Sequence, residues 1–215
     1  MKTPVEILPA ILFLLMAATP WRGVIAVTWL DDPLVLAGGT TQYLPLDLNG
    51  DSITDYVFAA GIGFVGGRPE GDNQHLIWPS GGSNIGGQIE PLAEGVEIGS
   101  DSGNNTWIEW FGGVDGYDGL ILCVSGGCVG RFVGQRAYMG VEFDIDGAMH
   151  YGWLDLYVAS LSAGAAIYGW GYETEPGISI RAGAVTVPEP STTMLIIGGL
   201  LTIGCTLRRA KARRG

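Results

Sequence analysis

Short alternations of apolar and polar side chains dominate the middle of the chain. Between residues 43 and 181 many stretches alternate with a period of two, as half-buried strands do, and few repeat apolar residues at helical spacing. Glycine-rich turns separate these stretches. Short strands between such turns are typical of a β-sandwich or a jelly roll. We therefore expect an all-β domain, sandwich-like or jelly-roll-like, at residues 27–185.

Ten strands and several turns follow from this pattern. The predicted strands are residues 43–48, 56–65, 75–78, 106–111, 120–124, 128–133, 137–145, 149–158, 165–172 and 178–181. The predicted turns are Gly66-Gly67, Gly81-Gly82, Gly86-Gly87, Gly112-Gly113 and Gly126-Gly127. Asp146-Gly147 lies between two long strands and predicts a two-residue hairpin, because Asp-Gly tolerates the positive φ angles of such a turn.

The first 26 residues have the pattern of a secretory signal peptide. Residues 7–18 form an apolar run of the length found in such signals. Val24-Ile25-Ala26 ends in a small residue, so we expect signal peptidase to cut after Ala26, within a few residues. The alternative is an uncleaved N-terminal anchor, although the run is short for a membrane span, which needs about 20 residues.

The C-terminal residues 186–215 combine three features in a fixed order. Pro188-Glu189-Pro190 comes first, an apolar segment at residues 192–207 follows, and five basic residues lie between 208 and 214. The apolar segment predicts one short transmembrane helix, and the basic residues would keep the C-terminus in the cytoplasm. The alternative is a buried glycine-rich strand with a basic tail.

This ordered triplet, over residues 187–215, resembles the PEP-CTERM sorting signal of Gram-negative bacteria. The resemblance implies recognition by an exosortase, a membrane cysteine protease, and then processing and release or transfer to the surface matrix. Stretches within residues 46–51, 138–143, 150–154 and 172–183 are also similar to exported β-domains that precede such signals. That similarity implies a cell-surface or matrix-associated protein without catalytic activity. The C-terminal segment would anchor the chain in the membrane before processing.

Charge limits the classes of partner. The chain has a formal net charge of −11, and residues 27–187 carry twenty acidic but only four basic side chains, which is −16. Nucleic-acid binding needs a basic face, so we expect no nucleic-acid partner. Such a surface favours solubility and attracts divalent cations.

One acidic loop has the oxygen spacing of a calcium site. Five residues are the candidate ligands: Asp47, Asn49, Asp51 and Asp55 through their side chains and Ile53 through its carbonyl. The match to an EF-hand loop is incomplete, because Ser52 stands at the glycine position and Phe58 at the final glutamate position. The segment is similar to the Asp-x-Asn-Gly-Asp loops of exported β-proteins, which implies structural calcium. The alternative is a solvated turn.

Three cysteines fit an exported protein. Cys123 and Cys128 flank a predicted hairpin tip, and an oxidising compartment would allow a disulfide between them. A metal site is the alternative, but no second cysteine pair accompanies them. Cys205 lies in the apolar segment.

A second acidic motif raises the possibility of an enzyme. Glu142, Asp144 and Asp146 alternate along one predicted strand and would share a face. The spacing resembles the catalytic strand of laminarinase-type glycoside hydrolases, which implies a paired-carboxylate mechanism. The alternative is a solvent-facing strand edge. His75 and His150 are the only histidines, and we expect them to be packed or hydrogen-bonded. No nucleophile elbow or phosphate loop is present.

Tryptophans suggest the main alternative function. Six follow residue 26, and most would be core residues of a β-sandwich. Trp107 and Trp110 have opposite strand parity, so one of them could face solvent and stack on sugar rings. A carbohydrate-binding module that contacts exopolysaccharide is therefore the second hypothesis, and a glycoside hydrolase the third. The first remains an exported structural surface protein with calcium as its only possible cofactor.

Overall fold

A computed structural model describes residues 23–78, 87–100, 106–108, 116–124 and 127–185, with the backbone alone for 106–108 and Val124. All of them belong to the first of the two units into which the chain divides, Met1–Val185. Most of the predicted signal peptide, the motif Pro188-Glu189-Pro190 and the segment 192–207 lie outside the described residues. Within the described part, no helix is long and apolar enough to cross a membrane.

The domain is all-β, as predicted. The described residues form fourteen strands: β1 (Ile25–Leu36), β2 (Gln42–Leu46), β3 (Tyr56–Gly61), β4 (Phe64–Pro69), β5 (Gln74–Trp78), β6 (Gln88–Ile89), β7 (Glu97–Ile98), β8 (Thr106–Ile108), β9 (Asp118–Val124), β10 (Gly127–Val129), β11 (Gln135–Ile145), β12 (Ala148–Ser160), β13 (Gly164–Glu173) and β14 (Ile180–Arg181). The strands at the centre of the chain match the predicted ones within a few residues.

Twelve of these strands form one sheet that nearly closes. Its order is β1-β13-β12-β11-β5-β6-β9-β4-β3-β2, with β10 paired to β9 and β8 paired to β5. All pairs in it are antiparallel except the short β6–β9 pair. The end strands β1 and β2 lie next to each other, which curls the sheet around an interior. Strands β7 and β14 form a separate two-stranded sheet.

The β11–β12 hairpin confirms the strongest local prediction. Asp146 and Gly147 have φ angles of 55° and 84°, which are the positive values that an Asp-Gly hairpin turn requires. The pairing runs without a bulge from Ile145 opposite Ala148 to Gln135 opposite Val158. This long ladder and the adjacent β13 form the most regular part of the sheet.

Apolar side chains pack against both surfaces of these strands. The interior holds the main core, with Phe58, Phe143 and Leu154 fully buried. On the outer surface Trp153 belongs to a second cluster, which the small β7–β14 sheet covers through residues such as Ile98. Each fully buried side chain of this size stabilises the fold by about 1.5–3 kcal/mol. Strand β12 is therefore buried on both faces.

The structure corrects the prediction of one strand at residues 56–65. A turn at Ile62 and Gly63 divides this stretch into β3 and β4, and Gly63 has a φ of 99°. Ile62 is 91% exposed, so its apolar character conceals the turn in the sequence pattern. A hairpin therefore replaces the single strand.

The predicted turn at Gly66-Gly67 is also wrong. Both glycines lie inside β4 and are buried. A Cβ at Gly66 would come 2.4 Å from the carbonyl oxygen of Asp118 on β9, and one at Gly67 would come 3.0 Å from the ring of Phe58. These glycines allow neighbouring groups to approach closely rather than reversing the chain.

Strand β1 precedes all the predicted strands. Its first residues, Ile25 and Ala26, pair with Glu173 and Tyr172 of β13. A signal-peptidase cut after Ala26 would therefore fall inside a strand.

Candidate functional site

The loop between β2 and β3 is built around the side chain of Asp47. Its Oδ1 accepts hydrogen bonds from the backbone N–H groups of Gly50 and Asp51 at 2.7 and 3.2 Å. Its Oδ2 accepts one from Ser52 at 2.7 Å. Gly50 and Ser52 have φ angles of 81° and 72°, so the chain turns sharply around the carboxylate. The aspartate thus satisfies three backbone donors of its own loop.

Two further side chains of the loop bind within it. Asn49 Nδ2 donates to Asp51 Oδ2 at 2.9 Å, and Asn49 Oδ1 accepts from the Asp51 N–H at 3.1 Å. Asp51 Oδ1 accepts from the N–H of Ile53 at 2.7 Å. The hydrogen-bond pattern is that of an Asx-rich turn, the alternative that the sequence left open beside calcium.

Asp55 closes the loop from the inside. It is only 3% exposed, and its Oδ2 accepts from the Leu48 N–H at 2.7 Å. The pKa of this carboxyl is raised from 3.8 to about 6, mainly by burial. The nearby charges of Asp51 and Asp47 contribute to the rise, and the hydrogen bonds from Leu48 and Asn73 oppose it. Trp170 of β13 donates from its indole to the Leu48 carbonyl at 3.0 Å, which fixes the loop to the sheet.

The structure brings parts of the two acidic motifs of the sequence to one cleft of about 420 Å³. The acidic residues that line it are Asp51, Asp55, Glu70, Asp72, Asp144 and Asp146. Asn73 connects the two sides, because its Nδ2 donates to the Asp55 carbonyl at 3.1 Å and its Oδ1 accepts from the Asp144 N–H at 2.9 Å. Nonlocal pairing of β5 with β11 produces this convergence, which the sequence pattern did not predict.

Hard oxygen donors are the ligands that calcium prefers, and this cleft supplies many of them. Asp144 and Asp146 add carboxylates from a distant segment, which the incomplete loop needs. However, among the described residues no cluster of three or more histidine, cysteine, aspartate or glutamate side chains has an arrangement that could hold a metal ion. The loop carboxylates instead accept backbone hydrogen bonds. Calcium at Asp47, Asn49, Asp51, Ile53 and Asp55 therefore stays a prediction.

Only part of the glycosidase motif lines the acidic cleft. Asp144 and Asp146 line the acidic cleft, whereas Glu142 is not among its lining residues. Glu142 is half-buried, and this burial raises its pKa, while a hydrogen bond from Tyr151 acts in the opposite direction. A paired-carboxylate mechanism needs both carboxyl groups on one sugar, about 5–10 Å apart. Asp144 and Asp146 are both exposed, which agrees with the alternative interpretation of this motif as a solvent-facing strand edge.

Both histidines lie in the interior and are hydrogen-bonded. His75 Nε2 lies 2.9 Å from Asp118 Oδ2, and both side chains are fully buried. Within the described residues, His75 Nδ1 and Asp118 Oδ1 have no hydrogen-bond partner. His150 Nδ1 lies 2.8 Å from the carbonyl oxygen of Glu173. The His75–Asp118 pair is closed to solvent, so it has no access to a substrate.

A disulfide joins Cys123 and Cys128. The two residues face each other in the β9–β10 hairpin, with their Cα atoms 3.9 Å apart. The bridge lies next to the Val124–Gly127 pair of the hairpin. Residues 125–126 are outside the described residues. This small covalent loop is a local link between adjacent strands.

The tryptophans do not all belong to the core. Trp153 is fully buried, but Trp29 is 51% exposed and Trp78 is 39% exposed. Trp107 lies in β8, where only the backbone is described, and Trp110 lies outside the described residues. The predicted sugar-stacking role of Trp107 and Trp110 therefore stays a prediction. Trp29 did not stand out in the sequence, because it lies in a strand that the pattern did not predict.

Fold and site define the class of this protein as an all-β domain with a curled sheet, an acidic cleft and one hairpin disulfide. Comparison of the chain with family models, curated proteins and solved structures found no match. The resemblance of residues 187–215 to a PEP-CTERM signal thus remains an inference from the sequence.

Proposed function

We propose that this chain is an exported surface or matrix-associated protein whose β-domain has a structural rather than a catalytic role. Signal peptidase removes its N-terminal signal, and an exosortase recognises Pro188-Glu189-Pro190 with the apolar segment 192–207. The domain is all-β, with one nearly closed sheet in place of the two separate sheets of the expected sandwich. Before processing the C-terminus anchors the chain in the membrane.

The observation that carries the proposal is the order of three features directly after the β-domain: the Pro-Glu-Pro motif, the apolar segment and the basic cluster. The disulfide between Cys123 and Cys128 supports it, since disulfides persist in oxidising compartments outside the cytoplasm. The proposal draws on the burial of the His75–Asp118 pair and on the lining of the acidic cleft, which does not include Glu142.

Calcium is part of the proposal as a structural ion. Asp51, Ile53 and Asp55 of the loop line the acidic cleft, and the exposed carboxylates of Asp144 and Asp146 line it from the β11–β12 hairpin. A divalent cation would offset repulsion among these carboxylates. It would bind between β2–β3 and β11–β12, and thereby join two segments that are distant in the sequence.

Export and sorting can be tested in a Gram-negative host that has an exosortase. The full chain is expressed with Glu189→Ala and, as a matched control, with Glu175→Ala, which changes another glutamate in an exposed loop of the domain. We expect the unchanged chain and the control at the surface or in the medium. The Glu189→Ala chain should remain in the membrane fraction.

Deletion of the host exosortase provides the second arm. It should retain the unchanged chain in the membrane to the same extent as Glu189→Ala does. Release that is independent of both the exosortase and Glu189 would contradict the sorting proposal. A chain that stays in the cytoplasm would contradict export altogether.

A further inference from the structure

A groove of about 580 Å³ lies on the outer face of the sheet, away from the acidic cleft. Strands β1, β11 and β12 form its floor, and the segment before β7 forms one wall. The residues that matter for its chemistry are Trp29, Glu94, Gln135, Arg136, Tyr138 and Asp155. An exposed aromatic ring next to fixed polar groups distinguishes this groove from ordinary surface.

Trp29 is held as a flat platform. It pairs with Gly169 of β13, and a Cβ at that glycine would come 2.7 Å from the indole ring, so the ring lies over the glycine. The centroid of Trp29 lies 5.4 Å from that of the fully buried Trp153. Half of Trp29 nevertheless remains exposed. One side of the indole is therefore fixed by packing while the ring stays open to a ligand.

Arg136 is held in place beside this platform. Its Nε and Nη2 donate to Asp155 Oδ1 and Oδ2 at 2.8 and 2.6 Å, and the guanidinium lies 3.8 Å from the centroid of the Tyr168 ring. Asp155 is 3% exposed, whereas half of the arginine side chain is accessible. Within the described residues Nη1 makes no bond, so its two hydrogens remain for a ligand.

Tyr138 completes the aromatic side of the groove. Its ring meets Trp153 edge-on, with centroids 5.4 Å apart, and it faces Asp155 across the β11–β12 ladder. Glu94 and Gln135 are exposed and add hydrogen-bonding groups at the walls. The aromatic rings pack against one another and Asp155 holds the arginine. These side chains would therefore lose little conformational entropy when a ligand binds.

These features together select a class of ligand. A flat indole binds the C–H face of a sugar ring, and fixed donors and acceptors bind its hydroxyl groups. An anionic polymer is disfavoured, because the only guanidinium of the groove is already paired with Asp155, Glu94 adds negative charge, and residues 27–187 carry a formal charge of −16.

We propose that this groove, with Trp29 as its platform and Arg136 as its donor, binds a neutral polysaccharide. The inference goes beyond the proposed export and does not require it, although an exported surface protein would meet such polymers. It places sugar binding at Trp29 rather than at Trp107 or Trp110.

The test uses the purified full chain in a detergent without a sugar headgroup. Hexasaccharides of β-1,3-glucan, β-1,4-glucan and α-mannan serve as neutral probes, with alginate as the anionic probe, and titration calorimetry gives the affinity. We expect at least one neutral series to bind. Trp29→Ala should weaken this binding at least about tenfold, as loss of a central aromatic anchor does.

Matched variants separate the groove from general effects. Trp78→Ala removes another exposed tryptophan, which lies against Arg131 and not in the groove, and should leave the affinity unchanged. Trp29→Phe keeps a ring over Gly169 and should retain part of the affinity. Glu94→Ala changes an exposed side chain and should weaken binding severalfold without altering the thermal midpoint.

Several results would overturn the proposal. They are the absence of binding by all neutral probes, binding by alginate alone, and binding that survives Trp29→Ala or falls equally with Trp78→Ala. Because the assay uses purified chain, these results leave the export proposal untouched. Failure of export in cells would likewise not contradict sugar binding in the groove.

Discussion

At the residue scale, Asn73 and Asp55 hold the acidic cleft together. Asn73 is 5% exposed and bonds the Asp55 carbonyl on one side and the Asp144 N–H on the other. Asp55 is buried beneath the loop that it closes, and burial opposes its negative charge. A buried carboxyl with a raised pKa makes the stability of the domain depend on pH.

The sign of this dependence follows from the pKa of Asp55. The folded pKa is about 6 against an ordinary value of 3.8, so between these values the folded chain binds more protons than the unfolded chain. Stability from the protonated carboxyl is therefore complete below about pH 4 and is lost as the pH rises through 6. We expect Asp55→Asn to remove this component, which amounts to at most about 3 kcal/mol.

The measurement is the free energy of unfolding from pH 3.5 to 7 with a chelator present, compared between the unchanged chain and Asp55→Asn. As the pH rises from 3.5 to 7, the unchanged chain should lose more free energy of unfolding than Asp55→Asn does. Parallel curves would show that Asp55 titrates normally. Asp32→Asn, which changes an exposed aspartate of β1, serves as the control.

At the element scale, the sequence predicts regular strands better than their boundaries. Strands β11, β12 and β13 and the Asp146-Gly147 turn follow directly from alternation and turn chemistry. The β3–β4 turn could not be recognised, because exposed Ile62 continues the apolar pattern. Strand β1 was missed because its polar bulge at residues 30–33 breaks the alternation.

The site was predictable only in parts. Each acidic motif is visible locally, at Asp47–Asp55 and at Glu142–Asp146, but their convergence depends on strand pairings between distant segments. The groove was not predictable for the same reason. Trp29, Arg136 and Asp155 lie on three different strands, and only the sheet order places them together.

The glycines of β4 give a prediction about strand contact. Gly66→Ala should destabilise the domain by about 1–3 kcal/mol, because the new methyl group would lie 2.4 Å from the backbone oxygen of Asp118. Gly119→Ala, in the residue paired with Gly66 on β9, is the control. The new Cβ would come no closer than 3.4 Å to another atom, so this substitution should be tolerated. Chemical denaturation measures both, and equal stability of the two variants would contradict this account of β4.

The acidic loop gives a prediction about calcium. Calcium should raise the thermal midpoint of the unchanged chain relative to chelator, and Asp146→Asn should reduce this increase while leaving the midpoint in chelator unchanged. Asparagine is the appropriate substitute because it tolerates the positive φ at this position. Asp32→Asn should leave the increase intact. No calcium effect on the unchanged chain, or an equal loss in chelator, would exclude the ion from this cleft.

Asp47 has a structural role in the loop in addition to its predicted role as a calcium ligand. If Asp47 only bound calcium, its loss would lower stability only when calcium is present. In the structure its carboxylate accepts three backbone hydrogen bonds of the loop. Asp47→Ala should therefore lower the thermal midpoint in chelator as well, and Asp146→Asn is the more specific probe.

At the scale of the whole molecule, the acidic surface has few opposing charges. Each arginine of the described domain is already engaged: Arg68 with Glu70, Arg131 with Glu90, Arg136 with Asp155 and Arg181 with the Gly95 carbonyl. Three of them also lie against aromatic rings. The remaining carboxylates repel anionic polymers and attract divalent cations, which agrees with the neutral polysaccharide proposed for the groove.

The most direct test of the central claim is the intact mass of the protein recovered outside exosortase-containing cells. We predict a chain that has lost its N-terminal signal, cut within a few residues of Ala26, and the apolar segment and basic tail beyond Pro190, with the Cys123–Cys128 disulfide formed. The same measurement on exosortase-deficient cells should find no released chain. Recovery of the full-length, reduced chain from the cytoplasm alone would contradict the account.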